Sequence, residues 1–241
     1  MDFSIKAIET KKKNKIAKSP HPEILPIHPS RSMFSGRSRS GKTNLIISLI
    51  HDKRFLKNYF NLIFLFSPSA QIDDAWESVI PSIIHPNHVF SSPDPLVLEK
   101  LLLIQSNIIQ ERRDVSKAPR LLIIFDDIID NKVMMHNKHL SELFFRARHK
   151  NISVWIATQS YNKVPRSLRL QMSNVFIFKA PKSEKEVLAK DLSPAGVEES
   201  QFIQILEHCT EEKYSFLHLN LQKDTHECFR KGLQTIVTLT K

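Results

Sequence analysis

Residues Gly36-Arg37-Ser38-Arg39-Ser40-Gly41-Lys42-Thr43 carry the spacing G-x-x-x-x-G-K-T. Each part of that spacing has a chemical reason. Glycines let the backbone curl until several N–H groups converge on the oxygens of a phosphate. The chain holds only four glycines, and two of them stand here. A helix opening near Lys42 aims the positive end of its dipole at the same anion. Lys42 then reaches the β- and γ-phosphates, and the Thr43 hydroxyl is placed to ligate Mg²⁺. The segment from Gly36 through Asn44 is therefore the expected cradle of ATP. The alternative, a plain glycine turn, leaves the adjoining lysine and threonine without a purpose.

A second group follows at residues 121–127. Leu121-Leu122-Ile123-Ile124-Phe125-Asp126-Asp127 is an apolar run ending in two acids. As a buried strand it would deliver both carboxylates to the carboxyl edge of a sheet, where ligands bind in open α/β folds. Asp126 fits the residue that holds Mg²⁺. Asp127 fits the base that orients and deprotonates an attacking water. Gln159, just past another apolar run, has the amide to touch both that water and a γ-phosphate, as a sensor of the bound nucleotide. Arg146-Ala147-Arg148-His149-Lys150 supplies cations. In a last helical turn such residues offset the helix dipole. The functional alternative is an arginine finger acting on a neighbouring subunit's γ-phosphate, a group that raises phosphoryl-transfer rates about 10³–10⁵-fold. Arg148 is the preferred candidate, with Arg146, Arg166 and Arg169 as rivals.

These groups need a scaffold that brings them to one edge. Strand-length apolar runs occur at 31–35, 62–66, 89–91, 120–125, 152–158 and 174–178. Between them, 43–56 places Leu45, Ile46, Leu49 and Ile50 on one helical face, and 96–110 does the same with Leu98, Leu101, Leu102, Gln105 and Ile109. Apolar strands alternating with helices predict an α/β fold with a mostly parallel sheet covered on both faces. Alternation over 214–221, a turn at Lys223-Asp224 and a return at 227–229 predict an antiparallel hairpin at the sheet edge. Residues 1–29 stand apart. Lys11, Lys12, Lys13, Lys15 and Lys18 are followed by Pro20, Pro22, Pro26 and Pro29, which reads as a basic, proline-rich arm preceding a 30–241 ATPase domain.

At 241 residues the chain suits one such domain with a full core. Its net charge of +10 points to a polyanionic partner. Cys209 and Cys228 lack the spacing of a zinc ribbon, and the H-x-x-H pairs His85/His88 and His136/His139 lack further ligands, so neither a disulfide framework nor a metal cluster is expected. The apolar runs are too short to span a bilayer and the first residues carry no leader, which predicts a soluble, cytosolic product without a membrane span.

The order GRSRSGKT, LLIIFDD, FFRARHKNISVWIATQS and VPRSLRLQMSNVFIFK, over 30–233, resembles the FtsK–HerA superfamily of P-loop ATPases. Within it the likeness is to the poxvirus-type genome-packaging ATPases of large DNA viruses and virophages. The resemblance implies a RecA-like core with an antiparallel edge, Mg²⁺ and ATP, and a homo-oligomeric ring of five or six subunits. It further implies translocation of double-stranded DNA into a capsid, contact with capsid or portal-vertex proteins, and a place in the virion or the host-cell cytoplasm. Rival readings from the motifs are another P-loop motor, such as a helicase or a virion-assembly ATPase, or a nucleotide-gated DNA-binding protein without turnover.

Overall fold

The structure is a computed structural model and describes residues 19–127 and 138–238. Strands β1 (Arg31–Ser35), β2 (Leu62–Phe66), β3 (Val89–Phe90), β4 (Leu121–Asp126), β5 (Ile152–Thr158) and β6 (Asn174–Ile177) pair in parallel, in the order β3-β2-β4-β5-β1-β6. Three antiparallel strands, β7 (Leu217–Asn220), β8 (Phe229–Lys231) and β9 (Thr235–Ile236), extend the β6 side. This is the mostly parallel sheet with an antiparallel margin that the apolar runs predict.

Successive strand residues face opposite sides, so each central strand feeds two cores. Phe34, Leu122, Ile124, Trp155 and Phe176 meet one set of helices: α1 (Lys42–His51), α2 (Asp74–Glu77) and α3 (Ile80–Ile83). Met33, Ile123, Phe125, Val154 and Val175 meet the other: α4 (Pro95–Arg112), α5 (Lys138–Arg146), α7 (Lys182–Leu192) and α8 (Glu199–Cys209). A short helix, α6 (Arg166–Arg169), links β5 to β6. Two-sided burial explains why the parallel strands are continuous apolar runs rather than alternating ones.

Several boundaries differ from the sequence reading. Helix α1 stops at His51 instead of running to residue 56. Asp52 accepts from the Arg54 backbone N–H at 2.8 Å and from the Arg54 guanidinium, a local side-chain alternative to the helix ladder. The chain then folds back, and Leu56 N–H donates to the Leu49 carbonyl at 2.8 Å. The edge hairpin is shorter and starts later than residue 214, and β9 adds a strand the alternation does not reveal. Of the N-terminal arm, the lysines Lys11–Lys18 lie outside the described residues. The part from residue 19 lies against the domain: Leu25 is buried in the α1-side core. His28 Nε2–H donates to Asn151 Oδ1 at 2.9 Å, which leaves Nδ1 to accept from the Ser153 hydroxyl at 2.6 Å. Burial holds its pKa down at about 4.

Phe34 lies at the centre of the sheet, fully buried and stacked on Phe176 with ring centroids 4.6 Å apart and planes 5° apart. Phe34→Ala should lower stability by about 3–5 kcal/mol, the usual range for emptying a phenylalanine site. Leu62, 40 % exposed at the start of β2, should tolerate alanine within about 0.5 kcal/mol. Urea titrations of the two variants give the comparison; equal midpoints would contradict the placement of the core.

Candidate functional site

Three strand ends coincide at one edge. Ser35 pairs with Thr158, and Asp126 with Ala157, so β1, β4 and β5 finish within one residue of each other. Gly36 N–H donates to the Thr158 carbonyl at 3.1 Å and Asp127 N–H to the Ala157 carbonyl at 3.2 Å. Residues 36–41 leave β1 and curl over this edge into α1. Gly41 has φ +106°, and a Cβ at Gly36 would lie 2.6 Å from Phe178 Cβ. Gly41 is required for left-handed backbone and Gly36 for close approach.

Lys42 Nζ donates to the carbonyls of Gly36 at 2.8 Å and Arg37 at 3.0 Å, so the lysine closes the loop on itself. Burial lowers its pKa, while Asp127 and Asp126 act in the opposite sense. Lys42, Thr43, Asn44 and Asp127 line a cleft of about 760 Å³. Asp73, which the sequence reading passed over, lines it too.

Asp126 is 2 % exposed. Its Oδ2 accepts from the Trp76 indole N–H at 2.7 Å. Burial pushes its pKa up to about 6; the Trp76 hydrogen bond pulls the other way, and Asp127 adds to the rise. Trp76 is fully buried on α2, whose N-cap Asp73 accepts from Ala75 N–H at 2.9 Å. Nothing in the sequence signals this contact, because the partners are 50 residues apart and a lone tryptophan reads as core. Asp127 has φ 52°, a left-handed conformation that aspartate tolerates better than most residues. Its Oδ2 accepts from Gln159 Nε2 at 3.0 Å, whereas its Oδ1 is buried with no hydrogen-bond partner. The Thr43 hydroxyl and the carboxylates of Asp126 and Asp127 are hard oxygen donors of the kind Mg²⁺ takes. The orphaned Asp127 Oδ1 is a polar atom that a water or ion would satisfy.

The four candidate arginines separate. Arg148 lies in the 3₁₀ turn Ala147–Lys150 that precedes β5, at the amino edge of the sheet. The seven residues of β5 put it roughly 20 Å from the loop at 36–41. Arg146, the last residue of α5, lies at the same amino edge and is exposed. Arg148 bears on Arg31 at the start of β1, whose pKa is lowered by burial first and by Arg148 second. Arg169 is committed elsewhere: its Nη1 stands 2.7 Å from Asp191 Oδ2 and its guanidinium sits 4.6 Å over the Tyr161 ring. Arg166 is exposed and pairs more loosely with Asp191 at 3.4 Å. His85 and His88 have ring centroids 5.3 Å apart, His136 lies outside the described residues, and no cluster of three ligating side chains occurs among the described residues. Cys209 and Cys228 are buried and free.

A twisted parallel sheet with this loop, helix and acidic strand end along one edge defines the fold of a P-loop nucleoside triphosphatase. Residues 22–226 match the family described as Poxvirus A32 protein, and the chain belongs to that family. Among curated relatives, the DNA packaging protein OPG160 of monkeypox virus is 31% identical over 172 residues, covering 70% of this chain and 54% of the relative. The protein of the same name from vaccinia virus (strain Western Reserve) is also 31% identical, with 60% of its length covered. Uncharacterized protein 015R of Frog virus 3 is 28% identical over 144 residues, 60% of this chain and 42% of that one. The chain thus spans about half the length of the curated relatives it matches. Among solved structures, the genome packaging NTPase B204 of Sulfolobus turreted icosahedral virus 2, in complex with AMPPCP, superposes with a TM-score of 0.56 at 16% identity, covering 80% of this chain and 93% of that one. That likeness shows the shared fold.

The raised Asp126 pKa has a stability consequence. The unfolded carboxyl titrates near 3.8 and the folded one near 6. Between those values the folded state binds more protons, so this group makes the nucleotide-free protein less stable as pH rises through the window. Above it the penalty is roughly 3 kcal/mol. Asp126→Asn keeps an oxygen for Trp76 and removes the charge. In metal-free buffer at pH 7.5 it should melt several degrees higher than wild type, with the gap closing by pH 4; a lower melting temperature at pH 7.5 would refute the buried-charge account.

Proposed function

We propose that this chain is the ATP-hydrolysing subunit of a motor that drives double-stranded DNA into a viral capsid. The observation that carries the reading is the meeting of Lys42 and Asp127 in one cleft at the carboxyl edge of the sheet, with Asp126 buried close enough to act on both charges. The names of the DNA packaging relatives support the biological setting.

In this reading Gly36–Thr43 binds the triphosphate, and Lys42 exchanges the Gly36 and Arg37 carbonyls for phosphate oxygens. Its charge is already partly desolvated, which strengthens that contact. Thr43 and Asp126 are the residues that would hold Mg²⁺, whose charge neutralises the phosphate oxygens. Trp76 fixes the Asp126 carboxylate through its indole N–H. Gln159 occupies Oδ2 of Asp127 and leaves Oδ1 to take the proton of an attacking water. Arg148, far from its own cleft, is assigned to a neighbouring subunit's γ-phosphate. Copies would form a ring of five or six, working in the virion or the host-cell cytoplasm beside capsid or portal-vertex proteins. The net charge of +10 supplies the attraction to DNA phosphates. Among the described residues no helix is long and apolar enough to cross a membrane.

Phosphate release is the first test. Wild type should hydrolyse ATP with Mg²⁺, faster with duplex DNA, and DNA affinity should fall steeply with salt and ignore sequence. Lys42→Ala should abolish turnover, and Asp127→Asn should retain ATP binding while losing hydrolysis. Turnover by Asp127→Asn at the wild-type rate would remove the assigned base.

Mixing tests the shared site. Arg148→Ala and Lys42→Ala subunits should each be nearly inactive alone and regain activity together, because some interfaces then pair an intact loop with an intact arginine. No recovery in assembled mixtures would move the finger to another residue.

A further inference from the structure

The cleft over the phosphate-binding loop continues into a second cavity of about 420 Å³ on the side of the antiparallel margin. Ser38, Arg39, Ser40, Phe178 and Tyr214 line both. Two of these five are aromatic. Phe178 follows β6 directly, and its ring packs against that of Phe216 with centroids 5.3 Å apart. Tyr214 lies between α8 and β7 and is 57 % exposed. The two rings flank the loop's second glycine: a Cβ at Gly41 would stand 3.5 Å from Phe178 Cε1 and 3.5 Å from Tyr214 Cδ1. Tyr214 also holds a φ of 67°, a left-handed conformation that is a true outlier for a bulky side chain. Strain of that kind persists where the surrounding structure over-determines it, and it concentrates at ligand clamps.

We propose that Tyr214, which with Phe178 borders Gly41, is the platform on which the purine base of the bound nucleoside triphosphate stacks. The inference rests on the reading of Gly36–Thr43 as the triphosphate cradle and adds what recognises the other end of the nucleotide. A large exposed aromatic ring beside a phosphate site offers a base what it offers in single-stranded nucleic acid complexes, a π-face with little preference among bases of equal area. Among the polar groups around the cavity, Ser40 Oγ is buried against Gly36 within the loop, and the charged side chains beyond the loop do not read the base edge. Glu211, Glu212, Lys179 and Lys213 are exposed. Glu212 faces Lys231 at 3.4 Å, and Lys213 Nζ lies 4.8 Å from the Tyr214 ring centroid. Sharp discrimination needs buried polar groups that a wrong base leaves unpaired. The platform therefore selects purine over pyrimidine by stacking area and accepts adenine and guanine alike.

Competition binding on the full chain with Mg²⁺, using ATP, GTP, CTP and inorganic tripolyphosphate, tests this. Wild type should bind ATP and GTP within about threefold of each other and CTP more weakly. Tyr214→Ala should weaken both purine nucleotides by ~5- to 150-fold, the range for losing one base–aromatic stack, while tripolyphosphate affinity stays unchanged. Tyr214→Phe should restore purine binding. Unchanged ATP affinity in Tyr214→Ala would overturn the platform, as would an equal loss for tripolyphosphate. A large preference for ATP over GTP would overturn the assignment of selection to stacking area. Failure of tripolyphosphate and every nucleotide to bind wild type would instead overturn the triphosphate cradle itself, and the platform with it.

Discussion

β5 lies between β1 and β4 in parallel register, and the chemistry of the molecule depends on that placement. The ladder makes Ser35, Asp126 and Thr158 neighbours although they are separated by up to 123 positions in the chain. Two backbone bonds just beyond the ladder, from Gly36 to Thr158 and from Asp127 to Ala157, then set where the loop and the second acid leave the sheet. Because side chains alternate along a strand, a slip of one residue would turn Asp126 from the α1 side to the α4 side. The apolar pattern on both faces prevents the slip: Ile124 and Phe125 belong to different cores, and exchanging them would unseat both.

Charge burial is the second constraint. Lys42 and Asp126 are both withdrawn from water, and neither is placed for stability. Each has a provisional partner: two loop carbonyls for the lysine and an indole N–H for the aspartate. Such partners offset part of the desolvation penalty without neutralising the charge. A site held this way favours a ligand that brings opposite charge to both, which is what a metal–triphosphate complex does. Preorganisation of this sort is the main source of electrostatic stabilisation in phosphoryl transfer.

What could be read in the sequence follows from the range of each constraint. The shape of the loop at 36–43 was legible because its demands are local: glycine where the backbone turns left-handed or comes close, then lysine and threonine at the start of a helix. Strands β4 and β5 were legible because two-sided burial writes itself as unbroken apolar runs. The contact of Trp76 with Asp126 was not, because it joins α2 to β4 across space with no periodic trace. Arg169 looked as available as Arg148 until Asp191 and Tyr161 came beside it. Tyr214 read as one more residue of an alternating strand, whereas the chain turns left-handed there and β7 begins three residues later. Helices α7 and α8 went unread in a stretch where no motif drew attention to their spacing.

The positions of the cleft and of Arg148 make the subunit a polar object. The cleft opens at the carboxyl edge of the sheet and the Ala147–Lys150 turn at the amino edge. A contact between copies that joins these two regions unites unlike surfaces, so it is heterologous: it repeats until the array closes on itself or grows into a filament. In a closed array joined that way every cleft would have two owners, and defects would be directional. If Arg148 serves a neighbouring cleft, as proposed, a copy that lacks Lys42 would silence only its own cleft, whereas a copy that lacks Arg148 would silence the one next door.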